Sequence, residues 1–460
     1  MAPTSARRSR WPAHRCECTY VQRHVAHGAR VPCVVRGAHR TASALLLSAC
    51  TPELCAAARL DPPYFRTHAC ALRGGAAQEV AAKGYLSLLR VEGGRVWSCG
   101  WNGNGQLGLG AISDELACEA AGTPRPVALP EHVRAVQVAC GSLHALVLAQ
   151  DGGVWSWGSR EGSGHGVGRG PETDVLTPAL ISADFFGSRR IVQLVAGDYH
   201  TLAVAEHAGT SSLGAPEPEL YAWGSSCGGC LGVGDEAPRP RPTRVRLPLA
   251  ESLPTWLPHP FDQPLDRRGG AAPRRAFTIT DVAAGGSHSI VVIAVGGRLS
   301  AVYTFGDGAH GKLGHGDCAC QPRPRLVRDG PQRSAIVRAS AGERHSALLT
   351  ESGEVFTFGS CGYGQDGHCG ADEMLARPRL VQLLGSSPVT EVACGDYHTV
   401  CASATGLHVF GCGSEGQLGL GEAEEEMPIP QLLQLDGWSH WSQSWSVAGP
   451  VRSGDGGGSR

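Results

Sequence analysis

Five histidines recur in one local setting, Gly-x-x-His leading into an apolar run: His144, His200, His288, His345 and His398, as in VACGSLHALVL and VACGDYHTVCA. Histidine is the commonest metal ligand, so the repetition raises a metal reading first. Zinc ligands must converge within about 2 Å of one ion, whereas these histidines are at least 53 residues apart in the chain. A neutral imidazole hydrogen-bonded to a turn, with a structural role, is the expected reading. Asp198 and Asp396 each stand two residues before such a histidine. As carboxylates in exposed turns they are candidate partner contacts, weighed against the plainer role of solvated turn aspartates. Cys227-Gly-Gly-Cys230 is the one CxxC, with no second pair to complete a zinc site. No Ser–His–Asp or paired-carboxylate arrangement stands out, so the sequence assigns no catalytic residue, no metal and no cofactor.

The elements that carry these histidines repeat. Six segments align on an anchor glycine: Gly100, Gly158, Gly224, Gly306, Gly359 and Gly411, spaced by 58, 66, 82, 53 and 52 residues. Three positions before each anchor stand Trp97, Trp155, Tyr221, Tyr303, Phe356 and His408; one position before stand Cys99, Trp157, Trp223, Phe305, Phe358 and Phe410. Two apolar columns two residues apart mark one face of a β-strand. Eight positions after every anchor is another glycine, from Gly108 to Gly419, which predicts a shaped loop with positive φ or close backbone approach. Phosphate-cradling loops also use glycine but lead into a helix; here proline follows, in Pro-x-x-aliphatic segments such as Pro124/Val127 and Pro378/Val381. Proline at the start of a strand predicts a sheet edge. A sixth copy of the histidine element, VAAKGYLSLL, has Leu86 in the histidine slot. One unit therefore reads as four antiparallel strands in about fifty residues. A single such sheet cannot bury both faces, so the copies must stack around a ring as an all-β propeller.

The pattern resembles the regulator-of-chromosome-condensation repeat family, whose hallmark is VxxWGxNxxGQLGxG with VAxGxxHS. Segments such as RVWSCGWNGNGQLGLG (95–110) and LHVFGCGSEGQLGLG (407–421) carry the likeness, which extends over residues 78–435. The resemblance implies a seven-bladed propeller. Six blades are traceable, at 78–129, 133–181, 191–247, 279–328, 336–383 and 389–435. It also implies two functional classes. One is a protein-interaction scaffold or adaptor; the other is a guanine-nucleotide exchange factor for a small GTPase of the Ran type. Neither involves covalent catalysis, and the repeat alone encodes the scaffold rather than the choice.

Departures from the repeat direct attention to particular regions. Between Pro238 and Phe277 stand nine prolines, eight arginines and three acids. This insert and the stretched hairpin 206–219 leave blade three on one face. A basic, proline-rich loop on a rigid scaffold suits an acidic or aromatic-lined protein partner. Its candidate contacts are Arg239, Arg241, Arg244, Arg246, Trp256, Arg267, Arg268, Arg274 and Arg275. Residues 1–77 open with eight arginines and a single acid in the first fifty positions, as an organelle transit peptide, a disordered basic extension or a cryptic blade would. The tail 436–460 groups Trp438, Trp441 and Trp445.

Composition restrains these readings. The net charge of −2 excludes a globally basic nucleic-acid binder, leaving residues 1–50 as the one route to chromatin. All but two of the 40 basic residues are arginine, the exceptions being Lys83 and Lys312, which points to codon bias. Eighteen cysteines, several in core columns, read as small hydrophobes in a reducing compartment. No apolar run is long enough to span a membrane, and a monomer in the cytoplasm or nucleus is the expectation, unless residues 1–77 direct the chain to an organelle.

Overall fold

The computed structural model describes residues 77–84, 86–110, 124–158, 175–187, 189–206, 218–248, 277–295, 299–331, 334–368, 374–385, 387–414, 416–420 and 426–433. The arginine-rich start, the tail tryptophans, and Trp256, Arg267, Arg268, Arg274 and Arg275 lie outside these residues. Within them are six four-stranded antiparallel sheets, each made of four consecutive strands. Blades 1 to 6 occupy 77–126, 135–180, 190–245, 277–326, 336–380 and 389–433. They form the ring of a β-propeller, and successive blades meet through their first strands, which are innermost. The repeat boundaries expected from the sequence agree with these to within a few residues. The resemblance implies a seventh blade; the described residues hold six. Among the described residues, no helix is long and apolar enough to cross a membrane.

Burial follows strand position. Second strands, sandwiched between neighbouring blades, are the most buried: His144–Ala149, His345–Thr350 and His398–Ser403 expose no residue on either face. Fourth strands are the outer edges and carry the prolines, as in Arg239–Val245 and Gln321–Leu326, where a missing N–H costs no ladder bond. The aliphatic three positions after the proline turns back inward, and Val127, Ile181, Val245, Val327 and Val381 are all buried.

Three kinds of contact join the blades. The first is a side chain resting on a glycine. Trp157, Phe305, Phe358 and Phe410 are fully buried, and each lies over the loop glycine of the preceding blade: Gly108, Gly232, Gly314 and Gly367 respectively. Those glycines have φ between 68° and 76°. A Cβ on Gly314 would stand 3.0 Å from the Phe358 ring, so glycine is needed for both conformation and space. The second is side-chain mimicry of a backbone ladder between inner strands. Gln137 donates to Leu194 O and accepts from Leu194 N–H, both at 2.9 Å. Asp281 accepts from Ala339 N–H and Ser340 from Cys394 N–H, each at 2.8 Å.

The third contact uses the repeated histidines. His144 Nε2 meets Thr201 Oγ1 at 3.0 Å, His200 meets Ser289 Oγ at 2.9 Å, and His288 and His345 meet Ser346 and Thr399 at 2.8 Å. Each of these four histidines therefore meets the hydroxyl that follows the histidine of the next blade, while its ring lies against the glycine that opens its own turn. The hydrogen-bond partner is thus a strand hydroxyl of the neighbouring blade rather than a turn. Three of the hydroxyls spend their one proton on a loop carbonyl, Ser289 on Cys230 O, Ser346 on Lys312 O and Thr399 on Gln365 O, all at 2.8 Å. They must accept from the imidazole, which fixes His200, His288 and His345 as the neutral Nε2–H tautomer. Burial, the leading cause, pushes His200 and His345 down to about 3. Blade 1 offers Leu86 instead of histidine, and blade 2 offers Ala145 in the hydroxyl slot. Both halves of the lock are absent together, and that seam is apolar, with Leu86, Leu88, Cys140, Ala145 and Val147 in one cluster.

Candidate interaction face

The anchor glycines fix where the loops emerge. Each pairs with the first residue of the second strand, as in His144↔Gly158, His288↔Gly306 and His398↔Gly411. All six have φ between 108° and 119°. A Cβ on Gly306 would stand 2.6 Å from Ser287 O, and one on Gly411 2.5 Å from Tyr397 O. The Gly-x-x-His turns and the glycine loops are thereby packed against each other at one end of every blade, forming a turn face. Backbone bonds lace the turns together: Ser142 N–H donates to Asp198 O, Asp198 N–H to Gly285 O, Gly286 N–H to Gly342 O, and Glu343 N–H to Asp396 O, at 3.1–3.2 Å. Side chains on this face thus stand on a rigid frame.

At the centre of the turn face sit the chain's two lysines. Lys83, at the end of the first strand of blade 1, reaches Asp198 of blade 3 at 3.3 Å and Ala284 O of blade 4 at 3.3 Å. Lys312, with 3% of its side chain exposed, pairs with Asp307 at 2.6 Å and approaches Ser287 and Glu343 O. Burial pulls Asp307 upward, but the Lys312 ammonium outweighs it and holds the carboxyl below its ordinary range. Burial and the neighbouring Asp198 raise Glu343.

Further out the face is aromatic. Tyr363 and Tyr397 make an edge-on contact at 5.4 Å, and the Arg344 guanidinium lies 5.5 Å from the Tyr397 ring. Tyr363 is 39% exposed, Tyr199 44% and Trp101 38%. His310, beside Arg344 and Lys312, is the single non-glycine residue with positive φ among the described residues, at 62°. Burial, then Arg344 and Lys312, lowers its pKa.

The described sequence candidates fall on the turn face and along blade 3's outer strand. Asp198 and Asp396 are on the turn face, but neither is a solvated turn carboxylate. Asp198 is 13% exposed and ion-paired, and Asp396 is half-buried. Arg239, Arg241 and Arg244 are ladder residues of blade 3's fourth strand rather than loop residues. Arg239 pairs with Asp235 at 2.7 Å, Arg244 with Glu219 at 2.8 Å, and Arg241 lies over the Phe185 ring at 5.2 Å. Arg246, just beyond the strand, is exposed. The described arginines thus run along blade 3's outer strand, from Arg239 opposite the anchor Gly224 to Arg244 opposite Tyr221. Sequence reasoning missed Lys312, Glu343 and the Arg344–Tyr363–Tyr397 cluster; the rarity of lysine was the one signal available. Cys230 of the CxxC is buried, with its thiol 3.2 Å from Ser225 O, and burial raises its pKa. Among the described residues no three His, Cys, Asp or Glu side chains are placed to hold one ion.

Comparison with known proteins agrees with this architecture. A family model described as an RCC1-like domain matches residues 74–451. The ultraviolet-B receptor UVR8 of Arabidopsis thaliana is 32% identical over 351 residues, covering 76% of this chain and 68% of the receptor. The human E3 ubiquitin-protein ligase HERC2 is 28% identical over 426 residues, covering 78% of this chain but 8% of the ligase. Among solved structures, human WBSCR16 superposes with a TM-score of 0.59 at 23% identity, covering 77% of this chain and 81% of that one. Yeast RCC1 (Prp20), solved bound to Kap60, gives 0.59 at 21% identity, covering 78% and 75%.

Proposed function

The chain belongs to the RCC1-like domain family, and on that premise we propose that it is a protein-interaction scaffold whose turn face receives a protein partner. The observation that carries this reading is the Arg344–Tyr397–Tyr363 cluster on hydrogen-bonded turns. Tyrosine, tryptophan and arginine supply most hot spots of protein interfaces, because they combine large contact area with polar ends. A frame laced by backbone bonds holds them in place before binding, which lowers the ordering cost of association. A structural neighbour fits this reading, since yeast RCC1 (Prp20) was solved bound to Kap60.

The experiment is affinity capture by the full chain, compared with R344A/Y363A. The double substitution removes exposed side chains and should leave thermal stability within about 1 kcal/mol of wild type. Capture of the same partners at the same level by both proteins would sink the turn-face assignment. The exchange-factor reading is met by a second arm, nucleotide release from purified small GTPases of the Ran type. Acceleration of release by several hundred-fold on one of them would replace the scaffold reading with exchange.

A further inference from the structure

We propose that the outer rim of blades 4 and 5 is a second docking surface, an array of arginines in register that takes an acidic polypeptide segment carrying apolar side chains. Strand pairing sets the array. Arg325 stands opposite Thr304 and Arg379 opposite Thr357, each of these threonines being the second residue before an anchor glycine. Two residues earlier on the same outer strands come Arg323 and Arg377. Alternate residues of a strand share a face, so the four arginines form two rows of two across neighbouring blades. All four are exposed. Arg241 holds the first-row place on blade 3, where it lies over Phe185. Codon bias accounts for arginine in place of lysine, but not for one register on successive blades.

The first row is held in place by the preceding blade. The Arg323 guanidinium lies against Gly234 of blade 3's loop, and that of Arg377 against Gly316 of blade 4's loop. The same two glycines donate their N–H groups to Pro322 O and Ala376 O, both at 2.7 Å, which ties down the strand beneath each side chain. Planar forks positioned in this way lose little freedom when a partner arrives. Pro322, Pro324 and Pro378 remove N–H donors from these edge strands, so a partner is recognised by side chains rather than by adding a strand.

Charge and chemistry select the partner. With Arg328 just past the strand, five exposed arginines stand with two described carboxylates that flank the same strands, Asp317 and Asp329. Arg325–Asp317 at 3.2 Å and Arg377–Asp329 are exposed pairs, worth so little in water that a partner's carboxylate can replace them. Arg323 and Arg328 are in no ion pair among the described residues. A guanidinium fork fits carboxylate and phosphate alike, but two features favour a polypeptide over nucleic acid. The aspartates set among the arginines would repel the unbroken line of charge on a phosphate backbone. Met374 of blade 5, 43% exposed, meets Cys318 of blade 4 at 3.5 Å, an apolar contact at the seam that an apolar side chain fills and a phosphodiester does not.

The test is fluorescence anisotropy of the full chain with a labelled peptide of glutamates interspersed with leucines, beside a glutamine-for-glutamate control and a labelled DNA duplex. Wild type should bind the glutamate peptide at least about tenfold more tightly than the control, and more weakly as salt rises. R323A/R377A should weaken it about tenfold. Asp329→Asn frees Arg377 and should tighten it, a gain that no folding defect can imitate. R344A/Y363A should bind as wild type does, so failure of the rim and failure of the turn-face reading are distinguishable. The proposal is overturned if the peptide does not bind, if R323A/R377A and D329N both bind it as wild type does, or if R344A/Y363A weakens it equally. Tighter binding of the DNA duplex than of the peptide overturns it in favour of nucleic acid.

Discussion

Thr399→Val is the sharpest perturbation of the blade-to-blade lock, because it keeps the shape of the side chain and deletes only its hydroxyl. Thr399 is fully buried, accepts from His345 Nε2–H at 2.8 Å and donates to Gln365 O at 2.8 Å. Valine leaves a buried imidazole N–H and a buried carbonyl without partners. Each such orphan costs about 1–3 kcal/mol, so the substitution should destabilise by about 2–5 kcal/mol. At roughly 2–4 °C per kcal/mol in a domain of a few hundred residues or less, the melting temperature should drop by about 5–15 °C. The assay is denaturant or thermal unfolding of wild type and variant, with a matched experiment at the seam where nature omits the lock. Ala145→Ser alone should destabilise, since it buries a hydroxyl beside Leu86. Leu86→His with Ala145→Ser should recover stability relative to the sum of the single changes, with a coupling of about 1–2 kcal/mol. If T399V lies within about 0.5 kcal/mol of wild type, or the seam pair shows no coupling, the lock is not what joins the blades.

Other outcomes follow from the same geometry. Because His200 and His345 are held down to about 3, the unfolded chain binds more protons than the folded one between that value and about 6.5. Stability should therefore fall as pH drops below about 6.5, by roughly 1.4 kcal/mol per pH unit for each buried histidine. Melting curves from pH 7 to 5 for wild type and H345N should differ in slope by one proton, and equal slopes would contradict the burial argument. Nitrogen chemical shifts should report the Nε2–H tautomer for His200, His288 and His345; the Nδ1–H form at any of them would break the relay. Gly306→Ala, with φ of 111° and a Cβ 2.6 Å from Ser287 O, should abolish folding or cost several kcal/mol. Gly93→Ala, at φ 78° with open space around it, should cost only about 1–2 kcal/mol. Equal unfolding midpoints for the two would show that close approach is irrelevant. Deleting 248–272 should leave the melting temperature nearly unchanged and abolish capture of a partner that recognises basic, proline-rich chain; retained capture would make the insert ornamental.

How legible the molecule was in its sequence depends on the range of the interaction. Strand identity, blade boundaries and the need for glycine at the anchors could be read directly, since each rests on local alternation, proline placement or a φ that only glycine adopts readily. The histidines were recognised as structural, yet their partners were not, because Thr201, Ser289, Ser346 and Thr399 lie on the next blade. Arg239, Arg241 and Arg244 looked like free loop charges, and pairing with Asp235, Phe185 and Glu219 consumes them. Asp198 looked solvated, although Lys83 reaches it from two blades away.

By itself, then, the sequence determined the repeating unit, and with it a ring of four-stranded blades, because one such sheet cannot bury its two apolar faces alone. Tertiary structure alone decided which side chains complete each other across the seams and around the axis. Hydrogen bonds and ion pairs depend on distance in space. A propeller brings positions more than a hundred residues apart, such as Lys83 and Asp198 or Lys83 and Ala284, to within a few ångströms. No local pattern encodes that proximity; closure of the blades around a common axis creates it.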